Sequence, residues 1–157
     1  MELEPGDIIL SHEVGSNTSG IIAAFSGCYW SHTSLYLGDG LIIESIRTGV
    51  HIIPFNEAMD NCNFIVLRCN YLLSSKKKLI IEEAVKFEGE GYDFGSYTQI
   101  LKKLIGKKDK FQQNGNSILC SHLVDKIYKN IGFDLFPFND CPLPKDFASS
   151  RFLERIY

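Results

Sequence analysis

No stretch of this 157-residue chain stays apolar for more than about five residues, the run "IIAAF" being typical, so nothing in it reads as a membrane-spanning helix. The opening "MELEPGDIIL" carries acids where a secretory leader needs positive charge, and a reducing, cytoplasmic setting is expected; a leader already removed would leave no trace. There is no Cys-x-x-Cys and no His-Glu-x-x-His, which leaves a zinc site only weakly signalled. The five cysteines, Cys28, Cys62, Cys69, Cys120 and Cys141, are odd in number and irregular in spacing. They do not form the framework of a disulfide-stapled domain, and most read as small buried hydrophobes. No Gly-x-x-x-x-Gly-Lys-[Ser/Thr] is present, nor a Gly-x-Gly-x-x-Gly after a strand, which argues against a nucleotide loop. A net charge of -3 provides no global attraction to nucleic acid.

What is present suffices for a core. Hydrophobic residues make up 45% of the chain and charged residues 22%, so disorder is excluded and one domain over residues 1–157 is expected. Strands are expected from "PGDIIL", at 32–37, 41–46, 49–53 and 63–69, and in the tail "RFLERIY". A short helix is expected in "NTSGIIAAFSG", stopped by Gly27. A second should be capped by Ser74 or Ser75, end at Gly89, and carry a Glu82–Lys86 pair at i,i+4. "YTQILKKLIG" reads as another short helix. "SILCSHLVDKIYKNIG" reads as a strong one, opened by Asn116 or Ser117 and closed by Gly132. "CPLPKDF" reads as a proline-rich turn. Strands crowd the first half and helices the second, which predicts an α+β fold with a mostly antiparallel sheet packed against helices.

The hairpin "LGDGL" sets a register question. A two-residue Asp39-Gly40 turn pairs Leu37 with Ile42 and turns Glu44 away from the face of His32. A three-residue Gly38-Asp39-Gly40 loop pairs Leu37 with Leu41, sets Glu44 opposite Ser34, and brings it to the face of His32. Both turns suit the residues.

A histidine beside a carboxylate is an oriented base, and a base of that kind needs a nucleophile. Cys120 is the candidate. It lies in the first turn of a predicted helix, where unpaired N–H groups favour a thiolate. It also shares a stripe with Leu123, Val124, Ile127 and Ile131, which faces it toward the packing side. His122, two positions on, falls roughly 200° around the helix and should point away. His12 and His51 read as structural or solvent-facing. Tyr29 and Trp30, just before His32, suit either a cleft wall or the core. Asp93 reads as a turn residue. Lys102, Lys103, Lys107, Lys108 and Lys110 read as a solvated loop.

In one order along the chain stand "PGDIILS", "SHTSLYLGDGLIIES" with "GVHIIPF", "GYDFGSY", "LCSHLVDKIYKNIGFDL" and "PLPKDFASSRFLERI". This series resembles the permuted NlpC-type papain-like cysteine hydrolases, in particular the YiiX-like branch with its poxviral relatives. Their histidine strand precedes the cysteine helix. The resemblance covers nearly the whole chain; His122 stands where the family's "CSELV" has glutamate. It implies a circularly permuted papain-like fold, Cys120 as nucleophile, His32 as base, Glu44 as the residue that orients it, and Tyr92 near the oxyanion. The role for Glu44 favours the three-residue loop. It implies a cysteine hydrolase that forms an acyl-enzyme and needs no cofactor. Expected substrates are amides: small peptides, peptidoglycan fragments or N-acyl amino acids. A lipid acyl hydrolase or acyltransferase and a non-enzymatic binding module are the rivals.

Overall fold

The computed structural model describes residues 2–17, 19–20, 23, 27–91 and 119–157. Six strands form one antiparallel sheet: β1 (Ile8–Glu13), β2 (His32–Gly38), β3 (Leu41–Ile46), β4 (Gly49–Pro54), β5 (Cys62–Cys69) and β6 (Leu153–Arg155), in the spatial order β4-β3-β2-β1-β5-β6. Among the described residues the labelled helices are α1 (Phe55–Ala58), α2 (Ser74–Ala84), α3 (Cys120–Asn130) and α4 (Pro144–Ala148). Asn17, Ser19, Gly20 and Ala23 are helical as well, in line with the expected short helix, and Gly27 stops it at φ 65°. This is the α+β arrangement read from the residues; β2 to β6 lie within a residue or two of the expected limits, while β1 runs three residues past "PGDIIL" to Glu13. The segments "YTQILKKLIG" and most of "GYDFGSY", with Asp93 and the lysine-rich stretch, lie outside the described residues.

Strand alternation sorts the side chains to two faces. Ile8, Leu10, Leu35, Leu37, Ile43, Val50, Ile65 and Leu67 form the main core with Ile80 and Ala84 of α2 and Leu123, Val124, Ile127 and Tyr128 of α3. Ile9, Tyr36, Ile42 and Val66 face the other way, covered by Met59, Phe55 and Phe64. Helix α3 ends in a Schellman motif: Gly132 is left-handed at φ 79°, its N–H bonds the Lys129 carbonyl at 2.9 Å, and Phe133 N–H bonds the Tyr128 carbonyl at 3.0 Å.

The expected helix caps differ from the observed ones. Leu73, extended at ψ 145°, precedes α2, and Ser74 lies inside it without a capping bond. The first part of "CPLPKDF" is non-helical, as a turn would be, but the stretch from Pro144 on is helical. Pro144 sits at the first helical position, and the Asp146 carboxylate accepts from Leu143 N–H at 2.7 Å. Lys86 pairs with Glu83, not Glu82. Residues Val85–Phe87 tighten to a 3-10 turn, and three residues per turn stack i over i+3.

A buried clamp ties the N-terminus to β5. The Arg68 guanidinium donates through Nε and Nη2 to both oxygens of buried Asp7, each at 2.7 Å, and Lys77 bonds Glu4. Replacing one partner leaves a desolvated charge. Arg68 keeps about a quarter of its side chain exposed, which softens the cost. Arg68→Ala is expected to lower stability by about 2–3 kcal/mol. A urea titration checks this, with a lower midpoint at unchanged slope.

Candidate active site

The site forms where two strands part. The β1–β2 ladder runs on to Ser11–His32, but the β2–β3 ladder ends at Ser34–Glu44, while β3 continues with β4 to Ile46–Gly49. The Thr33 N–H is therefore not used by β3, and it bonds the Cys120 sulfur instead. Cys120 is the first residue of α3, after extended Leu119, so its own N–H and that of Ser121 belong to the unpaired donors of a helix start. The Ser121 N–H also bonds the sulfur.

The hairpin that positions Glu44 combines the two expected turns. Asp39 and Gly40 are both left-handed, at φ 51° and 75°, and Gly38 pairs with Leu41, as in a two-residue turn. A bulge between Tyr36 and Gly38, with Gly38 at φ 105°, then slips the ladder by one. Ser34 therefore faces Glu44, the register expected from a three-residue loop. The favoured three-residue loop itself is corrected to a turn plus a bulge.

That register puts Glu44 and His32 on one face. The Glu44 carboxylate Oε2 lies 2.8 Å from His32 Nε2. The Cys120 thiol bonds the same ring, and Nδ1 is the nitrogen left for it. By strand parity His32 shares the face of Tyr36, not the helix-packed face of Leu35. Cys120 thus meets it at the end of the sheet, where the β2–β3 ladder has stopped, rather than across the packed layer.

The electrostatics follow from this row. Burial pulls the His32 imidazole down, but the Cys120 sulfur and the Glu44 carboxylate outweigh it and raise its pKa to about 10. Burial pushes the Cys120 thiol up, but His32 and the Thr33 and Ser121 N–H groups outweigh it, and the net shift is downward. Both shifts favour a thiolate beside an imidazolium. The His32 side chain is 23% exposed and Glu44 only 9%, so solvent reaches the ring while the carboxylate is sheltered.

On the His32–Glu44 side opens a cleft of about 450 Å³. Glu13, Glu57 and Asp60 line it with Ser11, Ser31 and Cys62. The sequence reading missed these carboxylates, and no local signal marks them: they come from β1, α1 and the turn after it. Glu13 and Asp60 converge enough to act, with Glu44 and burial, on Cys62, whose thiol all of them push up.

The remaining candidates fall elsewhere. His12 stacks on Tyr29 at 4.5 Å, and His51 bonds Thr48 at 2.9 Å. Trp30 packs against the main core, while Tyr29 is half exposed and accepts from Asn63 at 2.6 Å. Leu123, Val124, Ile127 and Ile131 are buried as the stripe predicts, but His122 is buried too, so α3 is covered on more than its apolar side. Tyr92 lies outside the described residues.

Comparison with known proteins gives one consistent picture. A family model described as "Permuted papain-like amidase enzyme, YaeF/YiiX, C92 family" matches residues 2–136. The "Probable lipoprotein peptidase YaeF" of Escherichia coli (strain K12) is 28% identical over 108 residues, which is 68% of this chain. The chain spans about two fifths, 39%, of that protein's length. A crystal structure described as the metalloprotein yiiX from Escherichia coli O157:H7 superposes with a TM-score of 0.71 at 17% identity, over 100% of this chain and 98% of that one. The resemblance read from the motifs, and the permuted fold with it, is borne out.

Proposed function

Because the chain belongs to the permuted papain-like amidase family, we propose that it is a cysteine hydrolase of amide bonds, with Cys120 as nucleophile, His32 as base and acid, and Glu44 orienting the ring. The observation that carries this reading is the row Cys120–His32–Glu44 at the open end of the sheet. The Cys120 thiolate attacks the carbonyl carbon, and the electron pair moves to oxygen. The Cys120 N–H, at the helix start, donates to that oxyanion. Tyr92 as a second donor rests on the motif alone. His32 gives its proton to the leaving nitrogen, and the C–N bond breaks. His32 then takes a proton from water, which cleaves the thioester and frees the acid. Glu44 stabilises the ring whenever it is cationic.

The lining favours polar substrates. Among the described residues, carboxylates and serines line the cleft with one cation, Arg47, which suits a small peptide with polar or cationic groups better than a long acyl chain. Peptidoglycan fragments remain within that class. A cytoplasmic setting is part of the same proposal, since a reducing compartment spares a nucleophilic thiolate from oxidation.

The similar solved structure is described as a metalloprotein. Among the described residues here, no three His, Cys, Asp or Glu side chains form a group that fits a metal ion. Cys120, His32 and Glu44 lie in a row with both ring nitrogens engaged, a relay rather than a cage.

Acyl-enzyme trapping tests the reading. A 4-nitrophenyl ester of an N-acyl amino acid should release a burst of nitrophenolate and leave an acyl mass on the Cys120 peptide, followed by steady turnover of it and of the matching 4-nitroanilide. Cys120→Ala should show neither. Acylation of a different cysteine, or binding with no burst, overturns the proposal and favours a binding module.

A further inference from the structure

Two hydroxyls next to His32 are placed at a cost that packing does not explain. Thr33 and Ser34 are both fully buried, and among the described residues neither Thr33 Oγ1 nor Ser34 Oγ has a hydrogen-bond partner. Buried hydroxyls are ordinarily paired, and an unpaired one in a native fold points to a use. The next inward positions of the same strand are Leu35, Tyr36 and Leu37, so apolar side chains fit this sheet well.

Alternation sends the two hydroxyls to opposite faces. Thr33 stands opposite Leu10 and shares the helix-packed face of Leu35. Its own N–H already bonds the Cys120 sulfur, which brings the sulfur close to the same residue. Ser34 stands between Ile9 on β1 and Glu44 on β3. Glu44 is its one polar cross-strand neighbour, and directly opposed residues have Cβ atoms about 4.5–5.5 Å apart. A serine or threonine hydroxyl turns between staggered wells, so one rotation aims each donor at its neighbour.

We propose that Thr33 and Ser34 are positioning residues of the reaction centre: the Thr33 hydroxyl holds the Cys120 sulfur from the helix side of the sheet, and the Ser34 hydroxyl holds the Glu44 carboxylate from the cleft side. The proposal rests on the reading of Cys120, His32 and Glu44 given above. It makes one short segment, 32–34, the support of all three: His32 supplies the ring, and the next two residues brace the groups on either side of it.

Thr33→Val and Ser34→Ala each delete a hydroxyl at nearly constant shape. The rate of Cys120 alkylation by iodoacetamide, followed from pH 5 to 10, and the thermal midpoint are the measurements. On the acid limb of the profile each variant should react roughly three- to tenfold more slowly than the parent, the worth of one hydrogen bond. Each should rejoin the parent near pH 10, where the His32 proton is lost in any case. The midpoint should hold or rise, since an unpaired buried hydroxyl has gone. Thr33→Ser and Ser34→Thr should restore the parent profile, and Thr33→Ala replaces Thr33→Val if the latter does not fold. Profiles that superimpose on the parent's overturn the proposal and leave the hydroxyls as structural residues. His32→Ala separates the two failures. If it slows alkylation while the hydroxyl variants do not, only this inference falls. If it changes nothing, the underlying reading falls with it.

Discussion

His32→Ala should slow alkylation of Cys120 at pH 6 by roughly three orders of magnitude. In the parent, burial pushes the thiol up but the imidazolium and two backbone N–H groups pull it lower still, so the thiolate persists in acid. Removing the ring deletes the largest of the lowering influences and leaves burial opposed only by the N–H donors. The thiol then returns toward its ordinary value of 9.0, and three pH units below that about one sulfur in a thousand is ionised. The sign fixes the shape of the result. The deficit should shrink about tenfold per pH unit as pH rises, and close above pH 9, where a thiol ionises unaided. Iodoacetamide at substoichiometric levels with peptide mapping makes the same point by competition. Cys120 should be labelled ahead of Cys62 and Cys69, whose thiols burial pushes up. A His32→Ala rate equal to the parent's at pH 6, or first labelling of either competitor, removes the central pair.

Much of this architecture is legible in the residues because it is written locally. Alternation marks the limits of β2 to β5, and Gly27, Gly89 and Gly132 mark three stops by taking left-handed backbone. The helix starts are less legible, because capping is a contest among neighbours. Ser74 has the side chain of a cap, but Leu73 has the extended backbone that the position needs. Pro144 reads as a breaker until it sits at a helix start, where its missing N–H costs nothing. The site divides in the same way. His32, Glu44 and Cys120 are nameable from residue type, face and motif. Their meeting depends on two events that no local pattern encodes: a bulge that restores the register of Glu44, and a ladder that stops one pair short of Thr33. The cleft carboxylates are invisible in sequence for a plainer reason, since they are assembled from three separate elements by the sheet order.

Glu44→Gln should keep the fold and lower turnover of a 4-nitroanilide substrate by about ten- to a thousandfold, the range set by losing a carboxylate that stabilises the imidazolium while keeping an amide that holds the ring. The carboxylate is among the influences that raise His32. Without it the ring loses its proton at lower pH, and with a weaker cation beside it Cys120 ionises at higher pH. The thiolate–imidazolium window therefore narrows from both sides, so the acid limb of the rate profile moves up and the alkaline limb moves down. A purely structural glutamate would behave differently. Its replacement would shift the thermal midpoint and scale the rate evenly at every pH. The sheltered position of Glu44 makes the two cases separable, because an amide of nearly the same shape fills the same space beside Ser34 and His32. Turnover measured from pH 5 to 10, set beside the melting curve, decides between them. Unchanged limbs with an unchanged midpoint would return Glu44 to ordinary strand duty and leave His32 to work with Cys120 alone.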